Sequence, residues 1–232
     1  SAVMFEGPGE ELTRTCNCQP ALYVHGLACL AVLKELVPCL NPVAAAGLSL
    51  GEFTAHAAAG TYSFEEGLRL VQKRGAFMEE ACNATKGTMA AMIGGTDENV
   101  IKLAQECDVD VANFNCPGQT VVSGTEEGVA KAVAGAKAAG CKIAKKLNVA
   151  GAYHSRLMHS AMVKLAEELK NISFGTPSMP VYCNYEARVV EGPDDIRSML
   201  EHQVCGSVRW TATMQKLGDQ GHRHFTELCP GK

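Results

Sequence analysis

The sequence predicts an α/β fold: a helix-covered parallel sheet carrying a compact insert. Three observations lead there. Short apolar segments alternate with amphipathic helical ones on both sides of the middle of the chain, the pattern of strands that each hand over to a covering helix. Between residues 86 and 149 the rhythm changes to strand–helix–strand–strand–helix–strand, the ferredoxin-like order. Finally, a serine stands between two glycines in "GLSLG", residues 47–51, where a strand would pass into a helix.

At 232 residues, 47% of them hydrophobic, the chain can bury one large core or a core and an insert. The net charge of −4 excludes a general nucleic-acid binder, which needs a basic footprint. No apolar run is expected to reach membrane-span length, and residues 1–15 lack the basic and apolar regions of a signal peptide. The eleven cysteines are scattered without a C-x-x-C pair. They read as small buried thiols of a reducing compartment rather than a zinc site or a disulfide framework.

Taken in order, "FEGPGEELTRTCNCQP" is polar and turn-rich, and "ALYVHGLACLAVLKELV" has helical apolar spacing. "PVAAAGLS" is short, small and apolar, as a buried parallel strand is, and a small-residue helix follows from Leu50 to a stop at Gly60. In "SFEEGLRLVQKRGAFMEEA" Ser63 and Glu66 form a capping box, and Phe64, Leu68, Val71, Gly75 and Met78 make one helical face. Arg74 lies beside that stripe, where it could reach a cleft edge. The insert runs through "TMAAMIGG", "DENVIKLAQEC", "VDVANFN", "QTVVSG", "EEGVAKAVAGAKAAG" and "KIAKKLNV". After it come a helix in "SRLMHSAMVKLAEELKNI", a strand in "MPVYCNY", helices in "DDIRSMLEHQV" and "VRWTATMQKLGD", and a short strand in "HFTEL". The core is thus 1–85 with 150–232, and the insert 86–149.

Gly47-Leu48-Ser49-Leu50-Gly51 fits the G-x-S-x-G nucleophile elbow, in which so sharp a turn leaves no room for side chains two residues from the serine. Ser49 then projects at a helix N-terminus, and the N–H of Leu50 is the first oxyanion donor. Of seven histidines, His154 follows a strand and precedes a helix, where α/β domains collect catalytic groups. His56 lies two turns along the serine's own helix. His159, His222 and His224 read as surface or solvated residues.

"GLSLGEFTA", "LVQKRGAFMEEA", "GTMAAMIG", "NFNCPGQTVVSG", "GAYHSRLM" and "VRWT", in this order, resemble the malonyl-CoA:acyl carrier protein transacylases and the acyltransferase domains of fatty-acid and polyketide synthases. The likeness runs from "GPGEEL" to "ELCPGK". It implies an α/β-hydrolase-like core, with Ser49 taking a malonyl group from coenzyme A and His154 as base and acid. It also implies a backbone carbonyl at Gln203 orienting the histidine, and Arg74 pairing with the malonyl carboxylate. Asn115 and Gln119 match polar positions near the cleft. The substrates implied are malonyl-CoA and the phosphopantetheine thiol of acyl carrier protein, in fatty-acid biosynthesis. No metal or other cofactor, nucleic acid or membrane is implied. A monomer is expected, cytoplasmic if bacterial and otherwise plastid or mitochondrial.

The sequence departs from the family's pattern at three places. Leu48 stands where histidine is common, a change expected to alter packing rather than chemistry. The family's opening Gly-Gln-Gly loop, source of the second oxyanion donor, has no counterpart here, and the chain stops at "PGK", short of the family's last helix. Two rival readings remain. A serine thioesterase or esterase would need an acidic orienter, but Asp97, Asp108 and Asp110 fall in the insert. A non-catalytic carrier-docking protein would need neither. For docking an acidic carrier, Lys142, Lys145, Lys146 and Arg156 offer a local basic patch, and a lysine-guarded strand edge is the alternative.

Overall fold

The computed structural model describes residues 2–228 and 230. Ten helices and four strands follow one another among the described residues: α1 (Ala2–Glu6), α2 (Gly9–Thr13), α3 (Thr15–Leu36), α4 (Leu50–Ala58), α5 (Phe64–Ala84), β1 (Gly87–Ile93), α6 (Asp97–Glu106), β2 (Asp110–Cys116), β3 (Gln119–Thr125), α7 (Glu126–Gly135), β4 (Ile143–Lys146), α8 (His159–Leu169), α9 (Pro193–Gln203) and α10 (Trp210–Asp219). A 3-10 turn, Arg156–Met158, leads into α8.

The four strands form one antiparallel sheet in the order β2-β3-β1-β4. Alternation along β1 explains why its sequence is apolar without a break, since successive side chains point to opposite faces. Ala90 and Met92 pack under α6 and α7 with Val100, Leu103, Val122 and Val129. Met89 points the other way, to Ala112, Val121 and Tyr153. Both faces are therefore covered. Thr96 and Thr125 accept from Asn99 N and Gly128 N, so each helix of this unit starts on a side-chain cap. Two register shifts between β2 and β3 bend β2 toward Val208, and Phe114 N–H donates to Val208 O at 2.9 Å.

The larger core packs α3, α4, α5, α8 and α9 around Tyr23, Phe53, Val71, Met158, Leu165, Ile196 and Leu200. The expected capping box opens α5: Ser63 Oγ accepts from Glu66 N and Glu66 Oε2 from Ser63 N.

The parallel sheet expected here is reduced to isolated bridges among the described residues. Ala45 pairs with Val181 in parallel and Tyr182 with Val189 antiparallel. The segments read as strands in "PVAAAGLS" and "MPVYCNY" find one another, but neither gains the ladder that makes a strand. "HFTEL" makes no strand pairing among the described residues. At the other end, the turn-rich reading of residues 5–20 is replaced by the end of α1, by α2 and by the first turns of α3. The "ELCPGK" block reaches Cys229, Gly231 and Lys232, which lie outside the described residues.

One expectation about α3 also needs correcting. Its 22 residues contain an 18-residue stretch of mean hydropathy 1.3, long and apolar enough to cross a membrane by length and composition alone. The same helix buries Thr15, Gln19, Tyr23, Gly26 and Leu30, a stripe at helical spacing that packs on α4 and α5. In sequence Asn17, Gln19 and Glu35 interrupt the run, and on the helix Gln19 lies within the buried stripe while Glu35 is exposed.

Candidate active site

The chain enters α4 through a turn that only one glycine makes possible. A Cβ at Gly47 would lie 2.0 Å from Gly51 C and 2.1 Å from Gly51 O, whereas one at Gly51 would meet nothing within 4 Å. The steric demand expected of both glycines thus belongs to Gly47 alone. Between them Ser49 has φ 53° and ψ −106°, a backbone that non-glycine residues rarely adopt. Asn184 secures the turn from across the core: its Oδ1 accepts from Ser49 N at 2.6 Å and its Nδ2 donates to Gly47 O at 2.7 Å. Leu48 is exposed, so the departure there alters little packing.

His154 arrives from the loop before the 3-10 turn, also at φ 53°. Its Nδ1 lies 2.9 Å from the backbone oxygen of Gln203, which can only accept. The proton is therefore on Nδ1, and Nε2 is left as the acceptor for Ser49 Oγ–H at 2.8 Å. Burial, and next the Arg74 cation, press the pKa of His154 down to about 4. The imidazole is neutral, and so a base, throughout the neutral range.

Arg74, expected at a cleft edge, is instead 1% exposed. Its Nη2 donates to Ser49 Oγ at 3.0 Å and to Gln203 Oε1 at 2.9 Å, and its Nη1 donates to Gln19 Oε1 at 2.5 Å. The guanidinium lies over the Phe53 ring, 5.0 Å from its centroid. Burial lowers its pKa to about 10, with Glu52 and Tyr153 acting against that shift, so it stays cationic.

Glu52, Asn184 and Gln19 were missed by sequence reasoning. Glu52 is wholly buried one turn after Ser49; its Oε2 accepts from Gln203 Nε2 at 2.7 Å and Asn184 N at 2.9 Å, while Oε1 has no partner. Burial raises its pKa to about 7 against the hydrogen bonds from Gln203 and Asn184 and the charge of Arg74. A carboxylate in the first turn of a helix is ordinary, so nothing in "LGEF" announced its burial. For Asn184 the one available signal was a polar amide in the apolar run "PVYCNY". Gln203 joins these parts: its Nε2 also donates to Ser49 O at 2.9 Å.

Ser49, His154, Arg74 and Gln203 thus form one hydrogen-bonded cluster. The N–H of Leu50 has no acceptor among the described residues and opens α4 directly beside Ser49. Asn115 and Gln119 stand at the β2–β3 end of the small sheet and make no hydrogen bond to the cluster; Asn115 Oδ1 is buried without a partner. His56 is buried against Thr61, and His159 is exposed. Among the described residues no group of three or more His, Cys, Asp or Glu side chains could hold a metal ion.

The basic patch is smaller than expected. Arg156 is bound to Asp108 at 2.6 Å and Asp110 at 2.9 Å, and Lys146 to Glu126 at 3.4 Å. Lys142 and Lys145 stay exposed without an ion pair among the described residues.

Comparison with known proteins gives one answer from three directions. The family model described as "Acyl transferase domain" matches residues 1–231. The malonyl CoA-acyl carrier protein transacylase of Escherichia coli K12 is 40% identical over 235 residues, covering 100% of this chain and 76% of the relative. The solved transacylase of that name from Coxiella burnetii superposes with a TM-score of 0.96 at 35% identity, over 99% of this chain and 74% of that one. A second structure, of a type II PKS acyl-carrier protein in complex with its malonyl-transacylase, matches with a TM-score of 0.95 at 38% identity, over 99% and 75% of the two chains.

Proposed function

The chain belongs to the acyl transferase domain family, and from that membership we infer that it moves a malonyl group from coenzyme A to the thiol of an acyl carrier protein through an ester on Ser49. Its small sheet we read as the family's ferredoxin-like subdomain, and the remainder as an α/β-hydrolase-like core.

The observation that carries this reading is the cluster Ser49 Oγ–His154 Nε2 at 2.8 Å, with Arg74 Nη2 3.0 Å from the same oxygen. In the first half-reaction His154 Nε2 takes the proton from Ser49 Oγ as that oxygen bonds to the thioester carbonyl carbon. The oxyanion forms beside the Leu50 N–H. Collapse breaks the carbon–sulfur bond, and the imidazolium returns the proton to the departing coenzyme A thiolate. In the second half the carrier's thiol gives its proton to His154 and attacks the ester, and Ser49 leaves with the proton restored. The Gln203 carbonyl keeps the proton-bearing nitrogen turned away from Ser49 throughout. Arg74 supplies what separates malonyl from neutral acyl groups, a buried cation with paired donors for a carboxylate three bonds beyond Oγ. A Ser–His–Asp esterase is disfavoured because the partner of His154 Nδ1 is a backbone oxygen, not a carboxylate.

Mass spectrometry of the protein mixed with malonyl-CoA tests this. A malonyl adduct on the Ser49 peptide that persists in water and is cleared by a phosphopantetheine thiol is the expected result. Rapid loss to water identifies a thioesterase. No adduct at all identifies a protein without this chemistry.

A further inference from the structure

We propose that Glu52 is the counter-charge of Arg74, held one amide away through Gln203, and that a malonyl carboxylate arriving at Arg74 makes Glu52 take up a proton. Selection of malonyl is then proton-linked. This rests on the functional reading above and adds to it a residue that sets substrate preference without touching the acyl group.

The three side chains form a buried line. Arg74 Nη2 donates to Gln203 Oε1 at 2.9 Å, and Gln203 Nε2 donates to Glu52 Oε2 at 2.7 Å. A guanidinium only donates, so the amide has one orientation, oxygen toward the cation and nitrogen toward the carboxyl. Buried as they are, the two end charges are little screened. Oε2 also accepts from Asn184 N at 2.9 Å. Two donors occupy that oxygen, so a proton goes to Oε1, which has no partner. Glu52 therefore gains or loses a proton without breaking a hydrogen bond, and its hold on Asn184 and Gln203 survives in both forms. An O–H without a partner costs less there than a buried charge with one oxygen unpaired.

Burial drives Glu52 toward the neutral form; the Gln203 and Asn184 hydrogen bonds and the Arg74 cation oppose it, which leaves the pKa at about 7. A carboxylate on Arg74 adds a negative charge that offsets the cation's help, and the pKa of Glu52 rises. The other titratable groups around it do not change charge near neutral pH. Burial lifts Tyr62, in the loop after α4, well above the usual tyrosine value, and it lifts Cys183, next to Asn184. Burial also holds His56, one turn along α4, at about 4, the value of His154 across Gln203, and Arg74 on α5 stays at about 10. An acetyl group carries no charge and leaves Glu52 as it is.

The test is the ratio of kcat/KM for Ser49 acylation by malonyl-CoA to that by acetyl-CoA, from about pH 6 to about pH 8.5, in the wild type and Glu52→Gln, with thermal melting of each. Below about pH 7 Glu52 already carries its proton, and malonyl enters without further uptake. As the pH rises through that value the wild-type ratio falls, by about tenfold in all for a pKa rise of about one unit. Glu52→Gln keeps an accepting oxygen for both donors and cannot titrate, so its ratio is flat. Proton counting needs no variant. In weak buffer at about pH 7.5, the wild type takes up a fraction of a proton more per Ser49 acylated by malonyl-CoA than by acetyl-CoA. A flat wild-type ratio, no excess proton, or the same slope in folded Glu52→Gln overturns the inference alone. Absence of any malonyl adduct in the wild type overturns the functional reading and this inference with it.

Discussion

Replacing Arg74 by alanine separates two jobs that the proposed function gives to one side chain. The first is substrate recognition. A hydrogen bond to a charged group contributes about 1.5–3 kcal/mol, or about 10–150-fold in kcat/KM, so malonyl transfer should fall by that factor relative to acetyl transfer. Acetyl transfer is not untouched, because Arg74 Nη2 also donates to Ser49 Oγ and Gln203 Oε1. Losing such alignment bonds costs about 0.5–1.5 kcal/mol each, so the two together should lower acetyl kcat/KM by about 5–150-fold, and the fall in the malonyl-to-acetyl ratio is what reports recognition. The second job is electrostatic. Arg74 is the next cause after burial of the low pKa of His154, about 4. Because His154 must be neutral to act, wild-type activity should persist on acidification until the pH approaches that value. In Arg74→Ala the acid limb should move up but remain below the ordinary histidine pKa of about 6.5, since burial persists. The assay is release of coenzyme A thiol in single-turnover acylation, with each thioester, over a pH series in which thermal melting shows the protein folded. Equal losses for malonyl and acetyl, together with an acid limb that stays in place, would refute the reasoning.

Three further outcomes follow from the same geometry. His154→Ala should slow Ser49 acylation by about 10²–10⁴-fold with little change in melting temperature, read by mass spectrometry of the Ser49 peptide; a wild-type rate would return His56 to consideration. Gly47→Ala must open the turn, because its Cβ would lie 2.0 Å from Gly51 C, and should cost about 1–3 kcal/mol or more in denaturant melts along with most of the activity. Gly51→Ala, with open space for its Cβ, should be neutral to about 1 kcal/mol more stable, and an equal loss in both variants would defeat the steric account. Charge reversal at Lys142 and Lys145 should raise KM for the carrier protein and leave that for malonyl-CoA, whereas equal changes for both would mark these lysines as guards of the β4 edge.

The parts of the site that the sequence disclosed are those made by local geometry. Ser49 was legible because so sharp a turn forces glycine at position 47, and His154 because it sits in the loop between β4 and the 3-10 turn that opens α8. The strands of the small antiparallel sheet were legible for a similar reason: breaks at Gly94-Gly95, Cys116-Pro117-Gly118 and Gly140 separate its elements. What depends on contacts between distant segments was not legible. Arg74 falls beside its helix's apolar stripe, and only the packing of α3 and α9 around α5 encloses it. Glu52 lies within the quoted motif yet gives no sign that Gln203, 151 residues away, and Asn184, 132 away, will bury it. The membrane-length run in α3 was hidden by polar residues on both sides of the helix, Gln19 in the buried stripe and Glu35 on the exposed side. The parallel strands were over-read because an apolar segment reveals that it is buried, not how many neighbours it will pair with.

Gln203 gives the site a single datum, in the machinist's sense of the point from which every other dimension is gauged. Its main-chain oxygen steers His154, its side-chain oxygen holds Arg74, and its side-chain nitrogen ties down the Ser49 carbonyl and Glu52. The groups proposed as base, anion grip and nucleophile therefore share one tolerance instead of accumulating three. The same economy leaves a single point of failure. A molecule that unwinds the last turn of α9 from its outer face would disarm the three together without ever entering the cleft.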